Sequence, residues 1–103
     1  MKTNPNAVEL GIGTELYNQF DMCMMTLWNV AHSLDKLTLI QLIVKEYGFP
    51  RESVYHRCGD DLQNIKEMYV EIVFTYTMEE MGITERKGGN TKMWRYIEYW
   101  RDL

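Results

Sequence analysis

The sequence predicts an all-α protein, a compact bundle of about five helices. Apolar residues recur three and four positions apart over several stretches, which is the spacing of one face of a helix. Glycines stand where these stretches stop, at Gly48, Gly59 and Gly82. Of the 103 residues, 46% are hydrophobic and 25% are charged, which is the balance of a folded globular domain. Residues 14–103 are therefore expected to form a single helical domain, and residues 1–13 a loose lead-in.

The first predicted helix begins at Thr14, an N-cap residue, and runs to about His32. Its apolar stripe consists of Leu16, Phe20, Cys23, Leu27 and Val30. Met24, Trp28 and Ala31 widen this stripe, so the helix is expected to pack against more than one neighbour.

The second predicted helix, "KLTLIQLIVKEY", is capped by Ser33 or Asp35 and ends before Gly48. Its apolar residues cover most of the helix circumference, which predicts the most buried element of the protein. A short polar segment, residues 51–58, follows the Phe-Pro turn, and Gly59 ends it.

The clearest helical periodicity begins at Asp61 and predicts a helix to about Met81. Its stripe consists of Leu62, Ile65, Met68, Tyr69, Ile72, Val73 and Tyr76. After the loop "ERKGGN", Thr91 caps a last helix whose stripe consists of Met93, Ile97 and Trp100.

Several large apolar residues lie off these stripes and predict a protein interface. Val70, Phe74 and Met78 form a second apolar line on the longest helix, and Trp94 and Tyr99 lie beside the last stripe. Aromatic residues make up 13% of the chain and eight methionines accompany them, more than a core of this size is expected to hold. We therefore expect a homodimer or a larger protein partner.

The stretch "VKEYGFPRESVYHR" has the residue pattern of a helix-turn-helix motif, with Gly48 at the turn. The motif needs apolar residues at the positions that Ile43, Tyr47, Phe49 and Val54 occupy. Residues 37–58 resemble the helix-turn-helix units of bacterial and phage regulators, transposases and resolvases. The resemblance implies a small, dimeric transcriptional regulator encoded by a phage or a mobile element. An alternative interpretation makes Gly48 only a helix C-cap at a tight corner.

This resemblance implies DNA contacts from the second helix of the motif. Its exposed residues are Arg51, Glu52, Ser53, Tyr55, His56 and Arg57. Arg51 and Arg57 would reach guanine edges or phosphates, and Tyr55 a phosphate or a thymine methyl group. The basic region "ERKGGNTKMWR" would contact phosphates through Lys87, Lys92 and Arg95. DNA reading requires both arginines of the segment to face solvent and the acidic helix to lie on the opposite side.

The charge distribution favours a second hypothesis of a different class. The net charge is −4, which argues against nonspecific phosphate binding. Residues 60–80 have a local charge of −5, and residues 86–101 have a local charge of +4. An acidic helical protein-binding module, such as a phage-type inhibitor or adaptor that acts on a host nucleic-acid enzyme, accounts for the acidic helix and for the aromatic excess. Alternatively, the acidic and basic runs neutralise each other within the chain.

The sequence does not contain the residue patterns that metal sites and enzymes require. Cys23, His32, His56 and Cys58 do not have the spacing of paired zinc ligands. Glu67 and Glu71 share a helical face without the second carboxylate pair of a magnesium enzyme, and no nucleophile motif occurs. The sequence therefore predicts no enzyme, no metal or cofactor and no small-molecule substrate. The absence of an apolar run of membrane length and of an apolar N-terminal signal predicts a cytoplasmic protein without membrane association.

Overall fold

The computed structural model describes residues 5–82 and 91–103, and every regular element in these ranges is an α-helix. The helices are α1 (Pro5–Leu10), α2 (Thr14–His32), α3 (Lys36–Lys45), α4 (Arg51–Cys58), α5 (Leu62–Glu80) and α6 (Thr91–Arg101). The prediction of an all-α fold is confirmed. None of the helices within the described ranges is both long enough and apolar enough to cross a membrane.

The chain divides into two units. One unit combines the beginning and the end of the chain, Met1–Cys23 with Thr77–Leu103, and the other is Met24–Tyr76. The first unit contains α1, the first half of α2 and α6, and the second contains α3, α4 and most of α5.

Aromatic side chains form the core of the first unit. The ring of Tyr17 packs edge-on against Tyr96, with ring centroids 5.6 Å apart, and Phe20 packs against the other side of the cluster at 5.3 Å from Tyr96. The Tyr96 hydroxyl donates to Oδ1 of Asp21 at 3.1 Å, and the Tyr17 hydroxyl donates to that of Tyr99 at 3.2 Å. Burial raises the pKa of both Tyr17 and Tyr96. Each buried hydroxyl therefore has a partner, as a packed core requires.

The N-terminal segment predicted to be a loose lead-in contains helix α1. Pro5 supplies the first residue of the helix, a position where a missing backbone N–H costs little. Gly11 follows the helix with a φ of +69°, and the Ile12 N–H donates to the Ala7 carbonyl at 2.8 Å. Within residues 5–13, the part of this segment that the structure describes, Ala7 and Ile12 are the buried residues. Two buried residues are too few to produce a visible periodicity, so the sequence analysis missed this helix.

More residues are buried in α5 than in α3, which corrects the expectation that α3 is the most buried element. Only Leu39 and Ile43 of α3 are buried, whereas Leu37 is largely exposed. The Thr38 N–H donates to Oδ1 of Asp35 at 2.7 Å, so Asp35 rather than Ser33 is the N-cap of α3.

The structure also corrects the prediction that the second apolar line of α5 faces a partner. Val70 and Phe74 are fully buried, and Met78 is nearly so. Because α5 is covered on both of its apolar lines, these three residues belong to the core within the chain. The exposed apolar residues of α5 are instead near its two ends, Leu62 and Tyr76.

Candidate functional site on helix α4

Helices α3 and α4 pack against each other and are joined by residues 46–50, the corner that the sequence analysis singled out. Gly48 has a φ of +73°, a conformation that residues with a side chain rarely adopt. The Phe49 N–H donates back to the Ile43 carbonyl at 3.3 Å and closes the end of α3. Pro50 then precedes α4 in an extended conformation and provides no side-chain cap.

Helix α4 is attached to its unit by one narrow face. Val54 and Cys58, four residues apart, are its buried side chains. The Cys58 thiol donates to the Asn64 carbonyl at 3.5 Å and lies 3.6 Å from the sulfur of Met68. Burial raises the pKa of this thiol, which keeps it protonated and unreactive. Cys58 is therefore a packing residue.

The remaining six side chains of α4 are exposed, as the helix-turn-helix resemblance implied. They are Arg51, Glu52, Ser53, Tyr55, His56 and Arg57. Tyr55 is the most unusual of them, because 70% of this large aromatic residue is in contact with solvent.

Four of these side chains line a shallow pocket with a volume of about 510 Å³. Arg51 and Tyr55 are four residues apart and therefore neighbours on the helix surface, and so are Glu52 and His56. The pocket thus combines a cation, a carboxylate, an imidazole and an aromatic ring. We call these four residues the α4 face.

Arg57 is not directed to solvent alone, because it forms an ion pair with α5. Its Nη2 lies 2.9 Å from Oε2 of Glu71, whose side chain is only 9% exposed, while the side chain of Arg57 is 46% exposed. The acidic helix therefore contacts α4 directly. Of the two arginines that DNA reading requires at the surface, Arg51 is exposed, and Arg57 is exposed but paired with Glu71 of the acidic helix.

A second ion pair in the same unit joins Lys36 to Asp60. Nζ of Lys66 lies within hydrogen-bond distance of Nδ1 of His32, at 3.0 Å. The segment 24–76 carries seven acidic side chains and five basic ones. The basic side chains are Lys36, Lys45, Arg51, Arg57 and Lys66, and the acidic ones are Asp35, Glu46, Glu52, Asp60, Asp61, Glu67 and Glu71. The unit that carries the α4 face is therefore net negative.

The other predicted site residues belong to α6, in the first unit. Lys92 and Arg95 are exposed, and Nη1 of Arg95 donates to the Leu10 carbonyl at 3.4 Å. Trp94 is 43% exposed, whereas Tyr99 accepts the hydrogen bond from Tyr17. Lys87 lies outside the described residues.

The sequence analysis missed Glu71 as the partner of Arg57. A signal for it exists, since Glu71 is the single charged residue in the apolar run "MYVEIVF". A carboxylate in such a run is expected to find a cation, because burying an unpaired charge is costly. Among the residues that the structure describes, no three histidine, cysteine, aspartate or glutamate side chains are grouped so as to hold a metal ion.

Comparisons of the chain with family models, with characterised proteins and with solved structures find no match. The chemistry of the α4 face therefore carries the functional argument.

Proposed function

We propose that this protein is a protein-binding module and that the α4 face binds a segment of a partner protein. One pair of facts supports this proposal most strongly. Arg57, a cation that DNA reading needs, is engaged by Glu71, while Tyr55 on the neighbouring surface is 70% exposed. An exposed tyrosine contributes strongly to the binding of a protein partner, whereas the binding of a DNA duplex depends on cations that neutralise its phosphates.

The residue types of the α4 face match those that contribute most to protein–protein binding. Tyrosine and arginine are enriched among residues whose truncation costs the most binding energy. A tyrosine ring offers a flat apolar surface with a polar tip, so it packs on an apolar or aromatic anchor of the partner. Arg51 complements a partner carboxylate, and Glu52 a partner donor, on either side of that anchor.

The charge balance of the second unit argues for the same conclusion. Nonspecific affinity for nucleic acid comes from neutralising phosphates with lysine and arginine. In this unit Lys36 and Arg57 are paired with carboxylates, so Arg51 is the main cation of the α4 face.

Site-specific photo-crosslinking tests the proposal. A photoreactive phenylalanine analogue replaces Tyr55, and in a matched control it replaces Gln41, an exposed residue of α3. After irradiation in the cells that naturally make the protein, Tyr55 should give a discrete protein adduct that Gln41 does not give. Arg51→Ala should weaken this adduct. Equal adducts at both positions, or an adduct indifferent to Arg51, would reject the α4 face as the binding surface.

DNA binding by the same helix is the second candidate, and the exposure of α4 favours it. All six side chains that the helix-turn-helix resemblance places at the surface are exposed. In vitro selection from random duplex DNA tests this candidate. A recovered sequence preference that Arg51→Ala weakens by roughly 1–3 kcal/mol, the value of a bidentate base contact, would establish DNA reading.

A further inference from the structure

We infer that Glu71 is a specificity-determining residue of helix α4: by holding Arg57, it suppresses the binding of nucleic acid next to the α4 face. The inference deepens the proposed function and rests on it only in taking a protein as the natural partner. It concerns what this surface rejects, which can be measured without knowing that partner.

The position of Glu71 makes it an effective neutraliser. Its carboxylate is on α5 between Val70 and Ile72, which are both buried, so the backbone that carries it is held by core packing. The side chain is 9% exposed, and Arg57 approaches it to 2.9 Å. A desolvated carboxylate keeps a close cation firmly, because separating them leaves an uncompensated charge in a poorly solvated place.

The same pair obstructs a phosphate in two ways. A phosphate that approaches Arg57 must compete with a carboxylate that is already in place. It also meets the negative charge of Glu71, and like charges at an interface reject a wrong partner. The side chain of Arg57 is 46% exposed, so a phosphate can approach it, and Glu71 neutralises the charge that would attract that phosphate.

The test measures binding of a fluorescently labelled random duplex DNA by anisotropy at low salt. Glu71→Gln keeps the size of the side chain and removes its charge, which should release Arg57 for one phosphate contact. Glu67→Gln is the matched control, since it changes the net charge equally, one helical turn away. We expect Glu71→Gln to bind the duplex more tightly than Glu67→Gln.

The salt dependence gives the expected size of the effect. One additional phosphate contact steepens the slope of log K against log salt by about 0.9. Between roughly 50 and 200 mM salt, Glu71→Gln should therefore lose about 3.5-fold more affinity than the control. Equal affinities and equal slopes for the two variants would overturn the inference.

A double variant shows whether the gain acts through Arg57. In Glu71→Gln combined with Arg57→Gln, the gain should disappear, and a gain that persists would also overturn the inference. If Glu71→Gln does not fold, Arg57→Gln alone decides. Its salt slope should equal that of the unaltered protein, because a neutralised Arg57 contacts no phosphate, and a slope shallower by about 0.9 would contradict the neutralisation of Arg57. Sequence-specific DNA binding by the unaltered protein would reject the proposed function instead, so the two failures are distinguishable.

Discussion

Truncation of Phe74 to alanine distinguishes a core residue from an interface residue on α5. Phe74 is fully buried within the chain, so Phe74→Ala removes a ring from the core and leaves a cavity. Such truncations cost about 3–5 kcal/mol. Native domains have a total stability of about 5–15 kcal/mol, so the loss should be a large part of it. For a domain of this size the melting temperature should fall by at least about 12 °C. Urea unfolding followed by circular dichroism measures the change.

Tyr55→Ala is the matched control, because it removes a similar ring from an exposed position on α4. It should change the stability by no more than about 0.5 kcal/mol. The reasoning fails if Phe74→Ala leaves the stability within about 1 kcal/mol of the unaltered protein and instead converts a dimer to a monomer. That result would make Phe74 an interface residue, as its position off the main apolar stripe of α5 predicted.

Three further predictions concern the ion pair and the titrating groups. A double-mutant cycle with Arg57→Gln and Glu71→Gln should give a coupling free energy of about 1 kcal/mol in urea unfolding, because only one partner is desolvated; a coupling near zero would contradict the pairing. Burial and the hydroxyl of a neighbouring tyrosine raise the pKa of Tyr17 to about 12, above the value of about 10 in the unfolded chain. The stabilisation linked to this group should therefore be complete below about pH 10 and lost as the pH rises through 12, and urea unfolding along an alkaline series should show a smaller loss in Tyr17→Phe, in which Tyr96 still titrates with a raised pKa. Iodoacetamide should alkylate the half-buried Cys23 before the buried Cys58, and both slowly, since burial raises the pKa of each thiol; faster alkylation of Cys58 in the native protein would place it at the surface.

The helices with long apolar stripes could be predicted from the sequence, although a stripe located the buried face only in part: Phe20 of the predicted α2 stripe is fully buried, whereas Val30 is 41% exposed. Helix α2 begins and ends at the predicted residues, Thr14 and His32. Helix α1 could not be predicted in this way, because it has one buried residue and its ends are set by a proline and a glycine.

Whether a second face of a helix is buried depends on how many other helices pack against it. The spacing of its apolar residues does not show that number. Phe74 was assigned to a partner because it lies off the main stripe of α5, and the structure buries it within the chain. The reverse holds for Leu37, which was counted among the buried residues of α3 and is largely exposed. The exposure of α4 was easier to predict, since most residues of this helix are polar and its two buried residues, Val54 and Cys58, lie four positions apart on one face.

The pairing of Arg57 with Glu71 could not be predicted from spacing. The two residues are 14 positions apart and on different helices, so their contact depends on the direction of the chain through the turn at Gly59. A charge run such as residues 60–80 gives the number of carboxylates but not which of them are directed to a neighbouring cation. This pairing is also what changes the balance between the two functional hypotheses.

Hydrogen–deuterium exchange of the protein with and without its crosslinked partner tests the central claim most directly. The partner recovered through Tyr55 is added back to the unaltered protein, and the exchange of backbone amides is followed along the chain. Binding at the α4 face predicts slower exchange in residues 51–58, and Tyr55→Ala should remove this protection. Protection confined to α6, where Trp94 is exposed, or unchanged exchange throughout α4, would contradict the claim.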